Sequence, residues 1–381
     1  MTGGPIGTVL LGICACCVGW MMGGAATAAG PANPGAGPDP APAPLTVRVD
    51  RREELFSILF RLAGSPEYRR AAASQYAYDV DAHFEPWKDH PAVRASRQLR
   101  EIHSIGFDAP QSLLVYLDEQ LRPRRALVPA PPGLDRRWAK VDIPEYLARV
   151  RDFARISGFS DFFAAHAVYF RAVEQSLRAP LEAQGTAWFD GFFGHQAGAQ
   201  SIVVPGLLNG PSSYGPRAEI EGAPPEFYQV LGMNRLDGQD LPVVDRTTVE
   251  LLAHELAHSY VNPLLDRHQD RLGPALAKLY ALVEAPMRAQ NYAEPRTLGN
   301  ESLVRAVTVL FAKDHTGPGR AEAVVREQIG RSFWWTGDLA RLLEEYRADR
   351  RAYPDLEAFI PRLAAFFEQS SRTYQARVSR P

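Results

Sequence analysis

The sequence predicts an α+β fold that is predominantly helical, with one small antiparallel sheet in the middle of the chain. Apolar residues recur at helical spacing over most of the sequence, both before and after its centre. Two short runs rich in β-branched and aromatic residues, 201–205 and 227–231, interrupt this pattern. Helices that flank one small sheet are typical of an α+β domain.

The first half of the folded part is predicted to be a helical scaffold. Leu55, Leu59 and Leu62 lie on one face of a helix predicted at 53–63, and Gly64 is expected to end that helix. Further helices are predicted at 79–84, 92–105, 111–121, 143–157 and 161–177.

The middle segment is predicted to form the sheet. A loop at 209–216 separates the two strand-like runs, and it is dense in Asn, Gly, Pro and Ser, which are turn-forming residues. We therefore expect an irregular hairpin in which 201–205 and 227–231 pair in antiparallel orientation.

The last third returns to helical periodicity. Pro263 is expected to end the first of these helices, and Asn300 is expected to cap the third. The helices are predicted at 246–260, 274–290, 301–311, 319–329, 338–346 and 356–374.

The N-terminus has the composition of an export signal. Residues 5–29 carry no charge, and the run Ala26-Thr27-Ala28 resembles a cleavage site, so 1–29 is predicted to be a secretory signal peptide. An uncleaved membrane anchor is one alternative, and a lipoprotein modified at Cys16 is another. Because each of these carries the folded part out of the cytoplasm, we expect a secreted, periplasmic or cell-envelope protein.

The domain organisation follows from a change in composition after the signal. Residues 30–45 are rich in Pro, Ala and Gly, which is typical of a linker. Residues 46–381 are predicted to be one domain, with a helical N-terminal half of about 46–180 and a second half of about 181–381.

Composition and charge exclude several kinds of site. The formal net charge of −2 predicts no nucleic-acid partner, and membrane contact is expected only through the N-terminal segment. The three cysteines, Cys14, Cys16 and Cys17, all precede the folded part. That part therefore has no disulfide, no Cys-ligated metal and no thiol nucleophile, so any metal there must be bound by His and carboxylate side chains.

One segment carries a pattern with a known chemical meaning. Residues 254–258 read His-Glu-Leu-Ala-His in a predicted helix with apolar neighbours on both sides. His254 and His258 lie one turn apart on the same helix face, so their imidazoles can bind one ion. Glu255 lies about 100° round the helix, where it suits a general base better than a ligand. The expected ion is Zn²⁺, which accepts two imidazoles and a carboxylate.

The third ligand is expected to be a carboxylate on another helix. The zincin pattern with a third His six residues after the second is excluded, because Leu264 stands there. Of Glu284, Glu294 and Glu301, we favour Glu301, which lies in a strongly apolar helix where an unpaired carboxylate would be costly. The alternative for Glu301 is a first-turn acid that stabilises the helix dipole.

Several segments are similar to a known bacterial family. The stretches 84–93, 214–216, 254–263 and 301–306 resemble DUF4932, a family of secreted proteins grouped as a domain of unknown function. Together these stretches span most of residues 50–310. The resemblance implies a common fold but no established substrate.

The metal site also resembles that of the gluzincin metallopeptidases, which combine H-E-x-x-H with a Glu on a later helix. The resemblance implies a zincin-like domain in which the small sheet lies next to the metal-binding helices. It also implies that His254, His258 and Glu301 are ligands. By the same resemblance Glu255 is the base.

One position departs from the gluzincin pattern. Some gluzincins have an Asp four residues after the ligand Glu, which orients a ligand histidine, whereas this chain has Arg305 there. A partner for the ligand histidines must then come from elsewhere. Glu250, one turn before His254, is a candidate.

Binding of a peptide would need an edge strand and a hydrogen-bond donor. In zincins a strand upstream of the motif helix binds the substrate backbone, and 201–208 or 227–231 could serve here. Tyr214 is our first candidate for the donor that stabilises the oxyanion, followed by Tyr260 and His195.

Together these features predict a zinc-dependent metallopeptidase that acts on a peptide or protein substrate. A zinc hydrolase of a non-peptide amide is one alternative. A zinc-binding envelope protein without catalysis is another, and the presence of Glu255 argues against it, because a structural site needs no base.

Overall fold

The computed structural model describes residues 45–182, 187–194, 200–233 and 235–378. Residues Ala41–Pro381 form one compact unit that is predominantly helical and contains a small sheet. The predicted signal peptide and nearly all of the predicted linker lie outside the described residues. Within the described ranges, no helix combines the length and the apolar character needed to cross a membrane.

The N-terminal half is the helical scaffold that the apolar periodicity predicts. The first helix is capped by the Asp50 carboxylate, which accepts a hydrogen bond from the Arg52 backbone N–H, and the chain leaves it through Gly64 at a φ of 88°. Its helices are α1 (Arg51–Leu62), α2 (Gln75–Phe84), α3 (Pro91–His103), α4 (Asp108–Leu114), α5 (Ile143–Ile156), α6 (Phe159–Ala165) and α7 (Ala167–Glu182). The short helix that follows, α8 (Ala187–Phe193), was not predicted, and its Phe189 and Phe192 belong to the apolar core of the C-terminal half.

Three predicted helices of this half have clearly different bounds, and the one predicted at 79–84 is α2, which begins four residues earlier at Gln75. The helix predicted at 111–121 is α4, which begins at Asp108 and ends at Leu114. It ends early because the Asp118 carboxylate accepts hydrogen bonds from the backbone N–H groups of Gln120 and Arg122, which form a turn instead. The helix predicted at 161–177 is two helices, α6 and α7, which meet at His166.

The sheet has four strands and is mixed, so the prediction of an antiparallel sheet was wrong. The strands are β1 (Leu45–Val47), β2 (Gln200–Gly206), β3 (Arg217–Ala218) and β4 (Glu226–Gly232), in the order β1-β2-β4-β3. Strand β4 pairs parallel with β2 and antiparallel with β3. The turn-rich loop therefore leads from β2 to β3, and the antiparallel hairpin forms between β3 and β4. Strand β1 was not predicted.

The position of each strand in the sheet matters for the site. Strands β2 and β4 are internal, and the two edges are β1 and β3. The β3 edge is extended by Tyr214, whose backbone pairs with Val230 of β4 in antiparallel orientation. Side chains from the two faces of the sheet enter different apolar clusters, because neighbouring residues of a strand point in opposite directions.

The C-terminal half contains the long helices. They are α9 (Arg246–Arg267), α10 (Gln269–Ala289), α11 (Pro295–Thr316), α12 (Pro318–Gly330), α13 (Thr336–Ala348) and α14 (Leu356–Val378). A large buried apolar core links them, and a separate core fills the N-terminal half and reaches the sheet.

Two predicted helix ends in this half were wrong. Helix α9 does not end at Pro263 but continues to Arg267. Proline removes the N–H that would bond to the Ser259 carbonyl, and the Arg217 guanidinium replaces it with a hydrogen bond of 3.1 Å. Asn300 is not an N-cap, because α11 begins at Pro295 and Asn300 is buried inside it.

Candidate metal centre

Helices α9 and α11 pack against each other and bring together three side chains that could hold a metal ion. His254 and His258 project from α9, and Glu301 projects from α11. The two imidazole Nε2 atoms are 3.2 Å apart. Glu301 Oε1 lies 3.4 Å from His258 Nε2, and Glu301 Oε2 lies 3.7 Å from His254 Nε2.

These separations fit a tetrahedral ion. Zinc–nitrogen and zinc–oxygen bonds of about 2.0–2.1 Å place the ligand atoms of a tetrahedron about 3.3 Å from one another. The 3.2 Å between the two Nε2 atoms and the 3.4 Å from His258 Nε2 to Glu301 Oε1 lie close to that value, and His254 Nε2 lies 3.7 Å from the second oxygen, Oε2. No other group of this kind occurs among the described residues. The donor set of two imidazoles and one carboxylate therefore suits a divalent metal, and zinc in particular.

The local sequence explains why α9 presents the two histidines. Asp245 and Thr248 form a capping box at its start, in which each side chain bonds to the backbone N–H of the other residue. Four-residue spacing then places His254 and His258 on one face. Their partner Glu301 is only 7% exposed and lies well inside α11. Its position excludes the alternative role of a first-turn acid.

Burial and mutual contact set the protonation of the ligands. Burial lowers the pKa of His254 well below its usual value, so this imidazole is neutral at pH 7. Burial has the same effect on His258, but the hydrogen bond to Glu301 and the Glu301 charge outweigh it and raise the pKa of His258 to about 9. Burial opposes the ionised form of Glu301, yet the Arg305 and His258 charges hold its pKa well below the usual range. A metal ion would replace the proton on His258.

Glu255 is a buried carboxylate next to the first ligand. It is 7% exposed, and burial raises its pKa to about 7, with the His258 charge opposing and the Glu301 charge supporting the shift. A carboxylate with such a pKa accepts and returns a proton readily near neutral pH.

The loop between β2 and β3 packs directly on the backbone at Glu255. A Cβ atom added to Gly215 would lie 2.3 Å from the Glu255 carbonyl oxygen and 3.4 Å from the His258 Cβ atom. Only glycine permits this close approach of the sheet to the helix.

One ligand histidine has a partner that orients it. The Nδ1–H of His258 donates a hydrogen bond of 3.1 Å to Oδ1 of Asn262, and this leaves Nε2 to face the metal position. Glu250, which we had considered for this role, instead accepts two hydrogen bonds from the Arg320 guanidinium.

Arg305 contacts the ligand carboxylate itself. Its Nη2 atom donates to Glu301 Oε2 at 2.7 Å and to the Tyr292 hydroxyl oxygen at 3.0 Å. Its Nη1 atom donates to Gln328 Oε1. The position that departs from the gluzincin pattern is therefore occupied by a buried cation that donates a hydrogen bond to Glu301, the candidate carboxylate ligand.

The three candidates for the oxyanion donor lie in different places. Tyr214 and Gly215 are neighbours on an extended segment, so the Tyr214 side chain points away from α9, and it packs in a cluster with Tyr116 and Val230. Burial raises the pKa of Tyr214 well above 10. Its role in catalysis stays a prediction, which this position does not favour.

The structure offers little support for the other two candidates for the oxyanion donor. Tyr260 stacks on Phe193 with ring centroids 4.5 Å apart and contacts Phe227, which indicates a packing role. His195 lies outside the described residues.

The other ligand candidates are engaged elsewhere. Glu284 pairs with Arg288 at 2.8 Å, and Glu294 pairs with Arg136 across the two halves of the chain. His268, beyond the motif, pairs with Glu357.

Sequence reasoning missed Asn262, Arg305 and Tyr292 as parts of the site. Asn262 stands four residues after His258, and Arg305 stands four residues after Glu301, so helical spacing placed each beside its ligand. That signal was present in the sequence. Tyr292 joins through a tertiary contact, for which the sequence gives no local signal.

Comparison with known proteins identifies the family of the chain. No curated protein and no solved structure matches it. The family model described as "Domain of unknown function (DUF4932)" matches residues 130–366, which is more than half of the 381 residues. The match includes the 214–216 loop and both metal-site helices, and it excludes the 84–93 segment that also suggested the resemblance. The chain therefore belongs to the DUF4932 family.

Proposed function

We propose that this protein is a zinc-dependent metallopeptidase of the gluzincin type, and that it acts outside the cytoplasm. The observation that carries the proposal is the group of three side chains on α9 and α11, whose nearest nitrogen and oxygen atoms are 3.2 to 3.7 Å apart, with a buried carboxylate, Glu255, directly after His254 on α9. A site that only stores or structures a metal has no need of that carboxylate.

His254, His258 and Glu301 would hold the ion. A zinc ion bound there would polarise the substrate carbonyl and lower the pKa of the attacking water. Three protein ligands leave the fourth tetrahedral position open, which is the arrangement of catalytic zinc sites and not of structural ones.

Glu255 is the proposed general base. Its pKa of about 7 lets it take a proton from the attacking water and return that proton to the leaving amine at neutral pH. Glu255 directly follows the proposed ligand His254 on α9, and the close packing of Gly215 on its carbonyl group restricts movement of the helix backbone there.

The proposed peptide-binding edge is β3 with the residues that extend it. The strands that we had expected to bind substrate, β2 and β4, have neighbours on both sides and offer no free edge. Among the described residues, the segment from Tyr214 to Ala218 pairs with β4 and with no second strand, and its Gly215 touches the motif helix. An extended substrate added to this edge would lie beside the metal ligands.

The first test is the metal content of the purified full chain, measured by elemental analysis. We expect about one zinc per chain in the wild type and its loss in Glu301→Ala. Glu284→Ala is the matched control. It also removes one carboxylate, but this carboxylate is exposed and pairs with Arg288 within α10, away from α9 and α11. A wild type that binds no metal after zinc is supplied would contradict the proposal.

The second test separates catalysis from metal storage. Zinc-loaded wild type is screened against a peptide library, with Glu255→Gln as the inactive control. We expect Glu255→Gln to keep its zinc and to cleave at least about 100-fold more slowly. Zinc binding with cleavage of non-peptide amides alone would indicate the alternative hydrolase, and zinc binding with no cleavage at all would indicate a non-catalytic envelope protein.

A further inference from the structure

We propose that Arg305 is a positioning residue that holds Glu301 as a one-oxygen ligand of the metal. This inference rests on the proposed zinc site, and it concerns the carboxylate that completes it. Arg305 touches the ligand and not the substrate, so its effect must pass through Glu301.

Both terminal nitrogens of the Arg305 guanidinium are held by neighbouring side chains. Arg305 is 4% exposed, and its two terminal nitrogens bond to Glu301, to the Tyr292 hydroxyl and to Gln328. The Phe333 ring lies against it with 4.5 Å between the guanidinium carbon and the ring centroid. Three elements of the fold thus fix the position of this one cation, because Tyr292 precedes α11, Gln328 belongs to α12, and Phe333 follows α12.

Arg305 makes the two oxygens of the Glu301 carboxylate inequivalent, because it donates a hydrogen bond to only one of them. Oε2 accepts the Arg305 hydrogen bond at 2.7 Å and lies 3.7 Å from His254 Nε2, whereas Oε1 lies 3.4 Å from His258 Nε2 and is not contacted by Arg305. Rotation of the carboxylate would break the charge-assisted bond, which is among the stronger hydrogen bonds in proteins. The hydrogen bond fixes the orientation of the carboxylate, and Oε1, which Arg305 does not contact, is the oxygen that would bind an ion in this arrangement. A carboxylate free to turn can bind with both oxygens, and this would fill the open position that a substrate needs.

Two effects of Arg305 on metal affinity oppose each other. Its positive charge repels a metal ion, so its removal favours binding. Its hydrogen bonds orient the ligand, so its removal also disfavours binding, and partners of ligating side chains are typically worth 10- to 100-fold in affinity. Arg331 allows the two effects to be separated. Arg331 is exposed. Burial is the main cause of the lowered pKa of His254, and the charges of Arg305 and Arg331 both lower that pKa further, so both charges act at the site.

The experiment compares metal binding in the full chain for Arg305→Met, Arg305→Lys and the charge control Arg331→Met. Zinc affinity is measured by competition with a chromophoric chelator, and coordination is measured by the d–d absorption of the Co²⁺-substituted protein. Four-coordinate Co²⁺ absorbs more strongly in these bands than five- or six-coordinate Co²⁺, and a purely structural role of Arg305 would not move them.

We expect Arg305→Met to bind zinc about 10- to 100-fold more weakly and to show weaker Co²⁺ bands than the wild type. Arg305→Lys keeps the charge, but one ammonium nitrogen cannot replace both guanidinium nitrogens that bind Glu301 and Gln328, so its zinc affinity and Co²⁺ spectrum should lie between those of the wild type and Arg305→Met. Arg331→Met should stay within about threefold of the wild type, with an unchanged spectrum. An Arg305→Met protein with wild-type affinity and spectrum would overturn the inference.

Tyr292→Phe covers the case in which Arg305→Met does not fold. It removes one acceptor of Arg305 and keeps the ring that packs on Phe333. We expect weaker zinc binding and a changed Co²⁺ spectrum, and an unchanged spectrum and affinity would count against the inference. In either case a wild type that binds zinc and cleaves peptides leaves the proposed function intact, whereas a wild type without metal refutes that function itself.

Discussion

The side chain of Asn262 accepts a hydrogen bond of 3.1 Å from Nδ1 of His258, one helical turn before it. This contact holds the imidazole with Nε2 towards Glu301 and selects the tautomer that a metal needs. We predict that Asn262→Leu lowers zinc affinity about tenfold, because the imidazole loses its orientation. The measurement is chelator competition on the full chain. Asn262→Asp keeps the acceptor and should bind zinc at least as well as the wild type, and equal affinity in all three proteins would refute the role.

The bond from Arg217 to the Ser259 carbonyl should depend on Pro263. In the wild type this carbonyl has no backbone donor four residues later, so Arg217→Met should destabilise the fold by about 1–2 kcal/mol. In a Pro263→Ala background the new N–H supplies the missing bond, and the same substitution should cost less. A double-mutant cycle from urea unfolding measures the difference, and it also cancels the contacts of Arg217 with Glu219 and Phe227. Additive effects would contradict the explanation.

Substitution of Gly215 should disturb both stability and catalysis. A methyl group there would lie 2.3 Å from the Glu255 carbonyl oxygen, so the loop and α9 must move apart. We predict that Gly215→Ala destabilises the fold by about 1–3 kcal/mol and lowers any peptidase activity. Gly238→Ala is the matched control, since a methyl group there meets no atom within 4 Å. Equal unfolding midpoints for the two variants would show that the close approach does not constrain the site.

A buried acid in the N-terminal half should make stability depend on pH. Burial raises the pKa of Glu54 to about 8, from a usual value of 4.5, and the carboxyl group accepts a hydrogen bond from Tyr76. Below pH 4.5 the group is protonated in both the folded and the unfolded chain, so it costs nothing. As the pH rises towards 8 the unfolded chain loses the proton first, and the folded state loses up to ~5 kcal/mol relative to it.

The comparison that isolates this effect is Glu54→Gln against the wild type. We expect the free energy of unfolding of Glu54→Gln to fall less between pH 5 and about 8 than that of the wild type. Glu101→Gln, which changes an exposed carboxylate on α3, should follow the wild type. A wild type whose stability changes with pH as Glu54→Gln does would contradict the prediction.

The parts of the site that local spacing controls could be predicted from the sequence. The four-residue spacing of His254 and His258 needs only a helix, and the cost of an unpaired acid in an apolar helix pointed to Glu301. The same helical spacing would have revealed Asn262, had a partner been sought on the same helix. Arg305 was interpreted only as the absence of an Asp, because the gluzincin pattern has at this position an Asp that orients a ligand histidine.

The parts that depend on tertiary pairing could not be predicted in this way. Whether β2 and β4 run parallel is decided by where β3 inserts, and a turn-rich loop is compatible with either outcome. Pro263 would end an isolated helix, and it is tolerated here because a residue from β3 supplies the missing donor. Asn300 has the chemistry of a cap, but Pro295 starts the helix earlier.

The ligand set of α9 and α11 has a thermodynamic consequence. His254 and His258 are neighbours wherever α9 forms, but Glu301 joins them only when α11 packs against α9 in the C-terminal core. Binding of an ion by all three side chains would therefore depend on the packing of these two helices as well as on the concentration of the ion. At a free-ion concentration 100 times its dissociation constant, such binding adds about 2.7 kcal/mol to the stability of the packed state. Withdrawal of the ion would then weaken the contact between the two helices and expose the core to proteolysis.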